Sequence, residues 1–145
     1  MDYDVIIVGG RPAGATLAAR LGEWGHRVLI VDRATFPSLP QVPSSPVLYP
    51  SGMQILDALG IPEADYGVPE AQMRRLIIEF SGEFSVEMPV PRMRDGRAYV
   101  YGLDRNVFDA RLWRELERYP SVERREGFAV TDVLREGERV VGVEG

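Results

Sequence analysis

Asp4-Val5-Ile6-Ile7-Val8-Gly9-Gly10-Arg11-Pro12-Ala13-Gly14 opens the chain, and Val28-Leu29-Ile30-Val31-Asp32-Arg33 follows one helical segment later. The β-branched run reads as a strand and the glycines after it as a tight turn. Leu17, Ala18 and Leu21 then recur at helical spacing, and Gly25 stands where a helix C-terminal cap belongs. The second apolar run does not alternate, as expected of a strand covered on both faces. Strand, turn, helix and strand make a βαβ unit, whose two strands are parallel. The fold class is therefore α/β, built on a parallel sheet.

Outward from that unit the pattern changes. From Phe36 to Pro50 the chain holds five prolines and three serines, an irregular loop. Ser51 is placed to cap a short helix through Ile55, Leu56 and Leu59 that ends at Gly60. Leu76, Ile78 and Phe80, then Phe84, Val86 and Met88, alternate with other residues around Ser81-Gly82. That is the pattern of an antiparallel hairpin with one buried face, and Ala98 to Tyr101 adds a third strand. Asp104 is placed to cap a helix with a Phe108, Leu112, Leu116 and Tyr119 stripe. A last hairpin runs from Phe128 to Leu134 and from Arg139 to Val143 around Glu136-Gly137. This organisation divides the chain into a βαβ unit with its following loop (1–70), antiparallel strands that begin a substrate domain (71–101), and a helix and hairpin returning to the first domain (102–145).

At 145 residues, 45% apolar and 27% charged, the composition is that of one globular domain. A net charge of −5 argues against nucleic acid as a partner. No apolar run approaches the roughly 18 residues a membrane helix needs. Zero cysteines exclude disulfides and thiolate sites and fit a cytoplasmic location. The strand beginning at Val5 leaves no room for a signal peptide, and the chain stops on the strand-like run ending in Val143-Glu144-Gly145. The expectation is the front part of a longer protein.

The glycine turn carries the chemistry. A pyrophosphate is held by backbone amides at a helix N-terminus, where the helix dipole favours an anion. That geometry asks for glycine at the tight turn, a small residue where backbone nears phosphate, and a third where helix meets strand. Gly9 and Gly14 take the first and third places, with Gly10, Pro12 and Ala13 completing the turn. Asp32, 18 residues beyond Gly14, ends the second strand where an acidic group accepts bonds from the adenosine ribose. The second glycine position holds Arg11. Either its side chain blocks the cofactor, or the guanidinium swings away, leaves its amide free and can pair with phosphate.

With the turn and Asp32-Arg33 in hand, the sequence resembles the p-hydroxybenzoate-hydroxylase-like flavoproteins, a family of aromatic monooxygenases, flavin-dependent halogenases and geranylgeranyl reductases. The string DVIIVGGRPAGATLAARLGEWGHRVLIVDR is similar to their first FAD motif, and one branch carries arginine at the place of Arg11. The likeness continues through Ala34-Thr35-Phe36-Pro37-Ser38, Pro50-Ser51-Gly52, Leu103-Asp104-Arg105 and the final strand. The resemblance implies a Rossmann-like domain binding FAD through Gly9, Gly10, Arg11, Pro12, Ala13, Gly14, Asp32 and Arg33, with Arg105 beside the flavin. It also implies NAD(P)H as reductant and a small organic substrate. The activity implied is that of a monooxygenase, with a reductase of isoprenoid double bonds as the alternative. Two later family motifs lie beyond Gly145, so this chain alone is expected to be inactive, to self-associate, or to pair with a chain that completes the fold. The βαβ unit by itself is also compatible with a nicotinamide-only dehydrogenase.

Other candidates have ordinary readings. His26, the single histidine, falls in a turn. Tyr99 and Tyr101 share a strand face and serve either a cavity or the core. Arg105 can reach a flavin or pair with Asp104 or Asp109. Trp24 and Trp113 read as packing residues, and Glu79, Glu83 and Glu87 as the wet face of the hairpin. No nucleophile–base pair, paired carboxylates or metal cluster stands out, so no residue is assigned a catalytic role and no metal is expected.

Overall fold

A computed structural model describes residues 2–145. The contacts group them into two compact units, one formed by the segment up to Val42 together with Arg105–Gly145, the other by Pro43–Asp104. The sequence-based boundaries fell at 70 and 101. The proline-rich loop after Val42 groups instead with the strands that follow it.

In the first unit β1 (Val5–Val8), α1 (Pro12–Glu23) and β2 (Val28–Val31) form the expected βαβ arrangement, with β1 and β2 parallel and paired Val5 to Val28 through Val8 to Val31. All four residues of β2 are buried, which is why that run shows no alternation. The buried stripe of α1 differs from the expected one. Ala15, Ala18 and Ala19 are buried, whereas Leu17 is 49% exposed. Small residues let the helix lie close to its neighbours: a Cβ on Gly22 would stand 2.6 Å from Val122 Cγ2. Beyond Trp24, Gly25 takes a φ of +80° and ends the helix as expected.

The later part of this unit supplies α3 (Arg105–Glu115), β8 (Val122–Arg125), β9 (Asp132–Glu136) and β10 (Arg139–Glu144). Phe108, Asp109, Ala110, Leu112 and Trp113 of α3 are buried. Strand β8 adds to β2 in parallel, giving the sheet order β1-β2-β8. Nothing in its residues marks this strand, since Val-Glu-Arg-Arg is neither apolar nor alternating, and only Val122 is buried. The β9–β10 hairpin is shorter at its start than expected, because 128–131 remain irregular.

In the second unit β3 (Val47–Leu48), α2 (Pro50–Ala58) and β4 (Gln72–Met73) precede the hairpin of β5 (Arg75–Phe80) and β6 (Phe84–Pro89), and β7 (Val100–Gly102) follows it. Helix α2 begins at Pro50 with Tyr49 as N-cap, so Ser51 lies inside it and does not cap it. Proline needs no hydrogen bond from its nitrogen at a first turn, which explains the start. The third strand expected beside the hairpin pairs elsewhere. Strand β7 is the centre of a separate antiparallel sheet, β3-β7-β4. Met53, Leu56, Ile61, Val100 and Tyr101 form this unit's interior. The hairpin departs further from expectation: Leu76 is half-buried, but Ile78, Phe80, Phe84, Val86 and Met88 are exposed, so neither face is covered.

Candidate functional site

Strand β1 ends at Gly9, whose φ of +107° lies in the region open to glycine and whose amide donates to Val31 O at 2.8 Å. The chain then turns through Gly10 and Arg11 into α1. A Cβ on Gly14 would fall 1.8 Å from the Gly9 carbonyl oxygen, so the first turn of the helix crosses the end of the strand at a distance only glycine permits. Gly10 is constrained from the other side, by Trp113 of α3, whose Cζ3 would lie 2.3 Å from an added Cβ. Arg11, the N-cap residue of α1, gives the helix no side-chain cap, and Pro12 occupies a first-turn position. The opening amides of the helix are thus left without a side-chain acceptor, next to the positive end of the dipole.

Asp32 stands just past β2 and is 7% exposed. Its Oδ2 accepts from the Gly10 amide at 2.6 Å and its Oδ1 from the Ala34 amide at 2.8 Å. Its own amide and carbonyl are bound to Arg125 O and the Phe128 amide. A carboxylate oxygen accepts about two hydrogen bonds. Both oxygens are therefore oriented by the protein and keep accepting capacity. A cavity of about 410 Å³ lies against them, lined among others by Gly9, Asp32, Ala34, Pro40, Val42 and Val130. That volume is within the roughly 300–1,000 Å³ usual for small-molecule sites. Arg33, exposed, also lines it. A second recess, about 450 Å³, lies around Phe36, Trp113 and Arg124, and no residue of the glycine turn lines it. Its rim charges are partly spent on each other, as in the 2.9 Å Arg124–Glu117 pair.

The Arg11 side chain leaves the turn altogether. Its guanidinium lies 4.9 Å from the centre of the Phe36 ring and pairs with Asp109 at 2.9 Å. Asp109, wholly buried, is held in turn by Arg105, Nε to Oδ1 at 2.8 Å and Nη2 to Oδ2 at 3.0 Å. Of the two partners open to Arg105 in the sequence, Asp109 is one it takes. Sequence reasoning gave Asp109 no role of its own, although its spacing of four from Arg105 on one helix was the available signal. It also missed the irregular 128–130 stretch, which lines the cavity and has no motif to mark it.

Tyr99 and Tyr101 belong to the interior of the second unit. Both hydroxyls donate to Glu63, Tyr99 at 2.9 Å and Tyr101 at 2.6 Å, and Arg97 bridges Glu63 to Asp57. Burial pushes the Glu63 carboxyl up, but the two tyrosine hydrogen bonds and the Arg97 charge outweigh it and hold the group below its ordinary value. Burial and the bonds to Glu63 raise both tyrosines. His26 is exposed in its turn, and Trp24 is exposed with Arg20 over its ring, whereas Trp113 is core. Among the described residues no helix is long and apolar enough to cross a membrane.

Set beside known proteins, residues 2–143 match the family described as FAD binding domain. The chain is 32% identical over 145 residues to squalene epoxidase of Schizosaccharomyces pombe, an alignment covering 98% of this chain and 31% of that protein. It is 32% identical over 141 residues to the 3-(3-hydroxy-phenyl)propionate/3-hydroxycinnamic acid hydroxylase of Mycolicibacterium gilvum, covering 96% and 24%. Among solved structures, a myxobacterial chondrochloren halogenase, described as a variant of FAD-dependent halogenases, superposes with a TM-score of 0.78 at 34% identity, over 97% of this chain and 32% of the other. The chain thus spans about a third or less of the length of these relatives.

Proposed function

The chain belongs to the FAD-binding-domain family, and from that premise we propose that the cavity at Gly9 and Asp32 takes the adenosine diphosphate half of FAD in a monooxygenase-type flavoprotein. The observation that carries the reading is Asp32. Two backbone amides fix its carboxylate at the cavity wall, with accepting capacity left for the ribose hydroxyls. The glycine turn suits the diphosphate for independent reasons, because Gly14 brings the uncapped start of α1 against the end of β1.

The backbone amides of Arg11, Ala13 and Gly14 would hold the diphosphate on the turn that Gly9, Gly10 and Pro12 shape, Asp32 would hold the ribose, and Arg33 would form the cavity rim. Arg105 is assigned to the flavin side by family resemblance, its guanidinium oriented by Asp109. FAD held there would supply the redox chemistry of the site, with NAD(P)H as the proposed reductant. The residues of this chain bind and orient. The substrate is proposed to be a small organic molecule, in keeping with the names of the hydroxylase and epoxidase relatives.

Titration of FAD with the chain, followed by flavin fluorescence, tests the reading. FAD should bind, ADP should displace it, and FMN, which lacks the adenosine half, should neither bind nor compete. Binding of FMN as tight as FAD, or failure of ADP to compete, would overturn the assignment.

A further inference from the structure

The arginine in place of the second glycine has every terminal N–H engaged away from the phosphate turn. Nη1 donates to Ser38 O at 2.5 Å and to Asp109 Oδ2 at 2.9 Å. Nη2 donates to Ser38 Oγ and Leu39 O, both at 3.0 Å. A guanidinium has five N–H donors, four of them on these two nitrogens. The acceptors come from two places only, α3 and the segment after β2.

That segment has little else to hold it. Among the described residues, no backbone–backbone hydrogen bond involves residues 37–42, and no helix or strand covers them. Yet Pro40, Gln41 and Val42 line the cavity that Asp32 faces. An irregular segment without main-chain bonds samples many conformations unless side chains tie it down. Here the ties to the Ser38 and Leu39 carbonyls come from Arg11. Asp109 supplies the fixed end: it is wholly buried and gripped by two donors of the Arg105 guanidinium, one on each carboxylate oxygen, so Arg11 is tethered to a group held in place.

We infer that Arg11 and Asp109 are positioning residues that staple the 38–42 segment in place as the wall of the nucleoside cavity. Arg11 then replaces glycine without cost to the cofactor, because its backbone serves the turn while its side chain builds the wall across from it. The staple rests on the nucleotide reading proposed above. It predicts that the nucleoside, not the phosphate, feels the loss of the guanidinium.

The test compares Arg11→Gln, Arg11→Lys and Asp109→Asn with the parent chain, titrated with adenosine and with ADP. Backbone 15N order parameters of Ser38, Leu39, Gln41 and Val42 are measured in parallel without ligand. Both Arg11 variants should lower those order parameters from the rigid range of about 0.85 to below about 0.6 and weaken adenosine and ADP by the same factor, about tenfold. Lysine keeps the charge but cannot span four acceptors, so it should not rescue. Asp109→Asn should act in the same direction, and combining it with Arg11→Gln should be no worse than the larger single effect. If Asp109→Asn unfolds the chain, the two Arg11 variants decide alone. Loss of ADP but not adenosine binding, or rescue by lysine, would make Arg11 a phosphate ligand and overturn the staple. Order parameters of 38–42 that are unchanged in both Arg11 variants would overturn it as well. A parent chain that binds neither ligand would instead overturn the nucleotide reading, and the positioning role with it.

Discussion

At the scale of single residues, Asp32 joins the fold to the function. Its two oxygens collect the Gly10 and Ala34 amides before any ligand arrives. Asp32→Ala should therefore weaken FAD binding by roughly 1–3 kcal/mol, the range for charged hydrogen bonds at a closed site. Asp32→Asn, which keeps one accepting oxygen, should lose less. A titration giving the alanine variant the parent's affinity would remove the ribose role. Gly14 makes a separate prediction, about folding. Because an added Cβ would meet the Gly9 carbonyl at 1.8 Å, and backbone cannot swing aside as a side chain can, Gly14→Ala should lower the thermal midpoint by several degrees, on the order of 1–3 kcal/mol. An unchanged midpoint would mean that α1 can draw back from β1. These residues were legible in the sequence because a tight turn and a ribose acceptor restrict residue type at fixed spacing. Asp109 was not. Its partner Arg11 lies 98 positions away, and Ser38, which accepts from the same guanidinium, lies 27 positions from Arg11, so nothing local marks such a meeting.

At the scale of elements, legibility followed how much of an element's environment its own sequence records. The buried strand β2 and the glycine-ended helices α1 and α2 announce themselves, because burial and caps act on adjacent residues. Strand β8 is fixed by pairing with β2, and β7 by partners on both sides that the sequence does not reveal. The short helical turn Glu63–Asp65 shows what ties such elements together: Glu63 receives both tyrosine hydroxyls of the β7 region and the Arg97 charge. Its carboxyl is held below its ordinary value in the folded chain. The unfolded chain therefore takes up the proton first, and the stability contributed by Glu63 is present above the usual carboxylate range and lost as pH falls below that range through the lower folded value. Glu63→Gln should cost about 1–2 kcal/mol at pH 7 in urea unfolding, and the difference from the parent should shrink as pH falls below about 4. A gap that stayed constant with pH would assign the loss to shape and not to charge.

At the scale of the whole chain, the βαβ class and its cofactor family could be read early, while the fate of the β5–β6 hairpin could not. Its two-residue alternation correctly predicts an antiparallel pair, since alternation records the pleat. Alternation records which side is apolar, but not whether anything covers that side. Here Ile78, Phe80, Phe84, Val86 and Met88 remain between 39% and 58% exposed, and Ile77 on the opposite face is 65% exposed. Phe80 and Phe84 stack at 4.7 Å at the turn end, adding a flat aromatic surface. A contiguous apolar patch of this kind is uncommon on a chain that stays monomeric, because water is excluded from it when two copies meet. We expect the 145-residue chain to associate through this hairpin, as a second copy can lay the same apolar strand face against its own. Sedimentation velocity should show dimers or larger species that become monomeric in Ile78→Thr/Phe84→Thr, two changes that keep β-propensity while removing apolar area. Because both positions are exposed, the double variant should keep its fold and its FAD affinity, which flavin fluorescence reads in the same samples. A double variant that remained associated would place the contact elsewhere on the chain, and one that lost FAD binding would show that the hairpin serves the nucleotide site and not self-association.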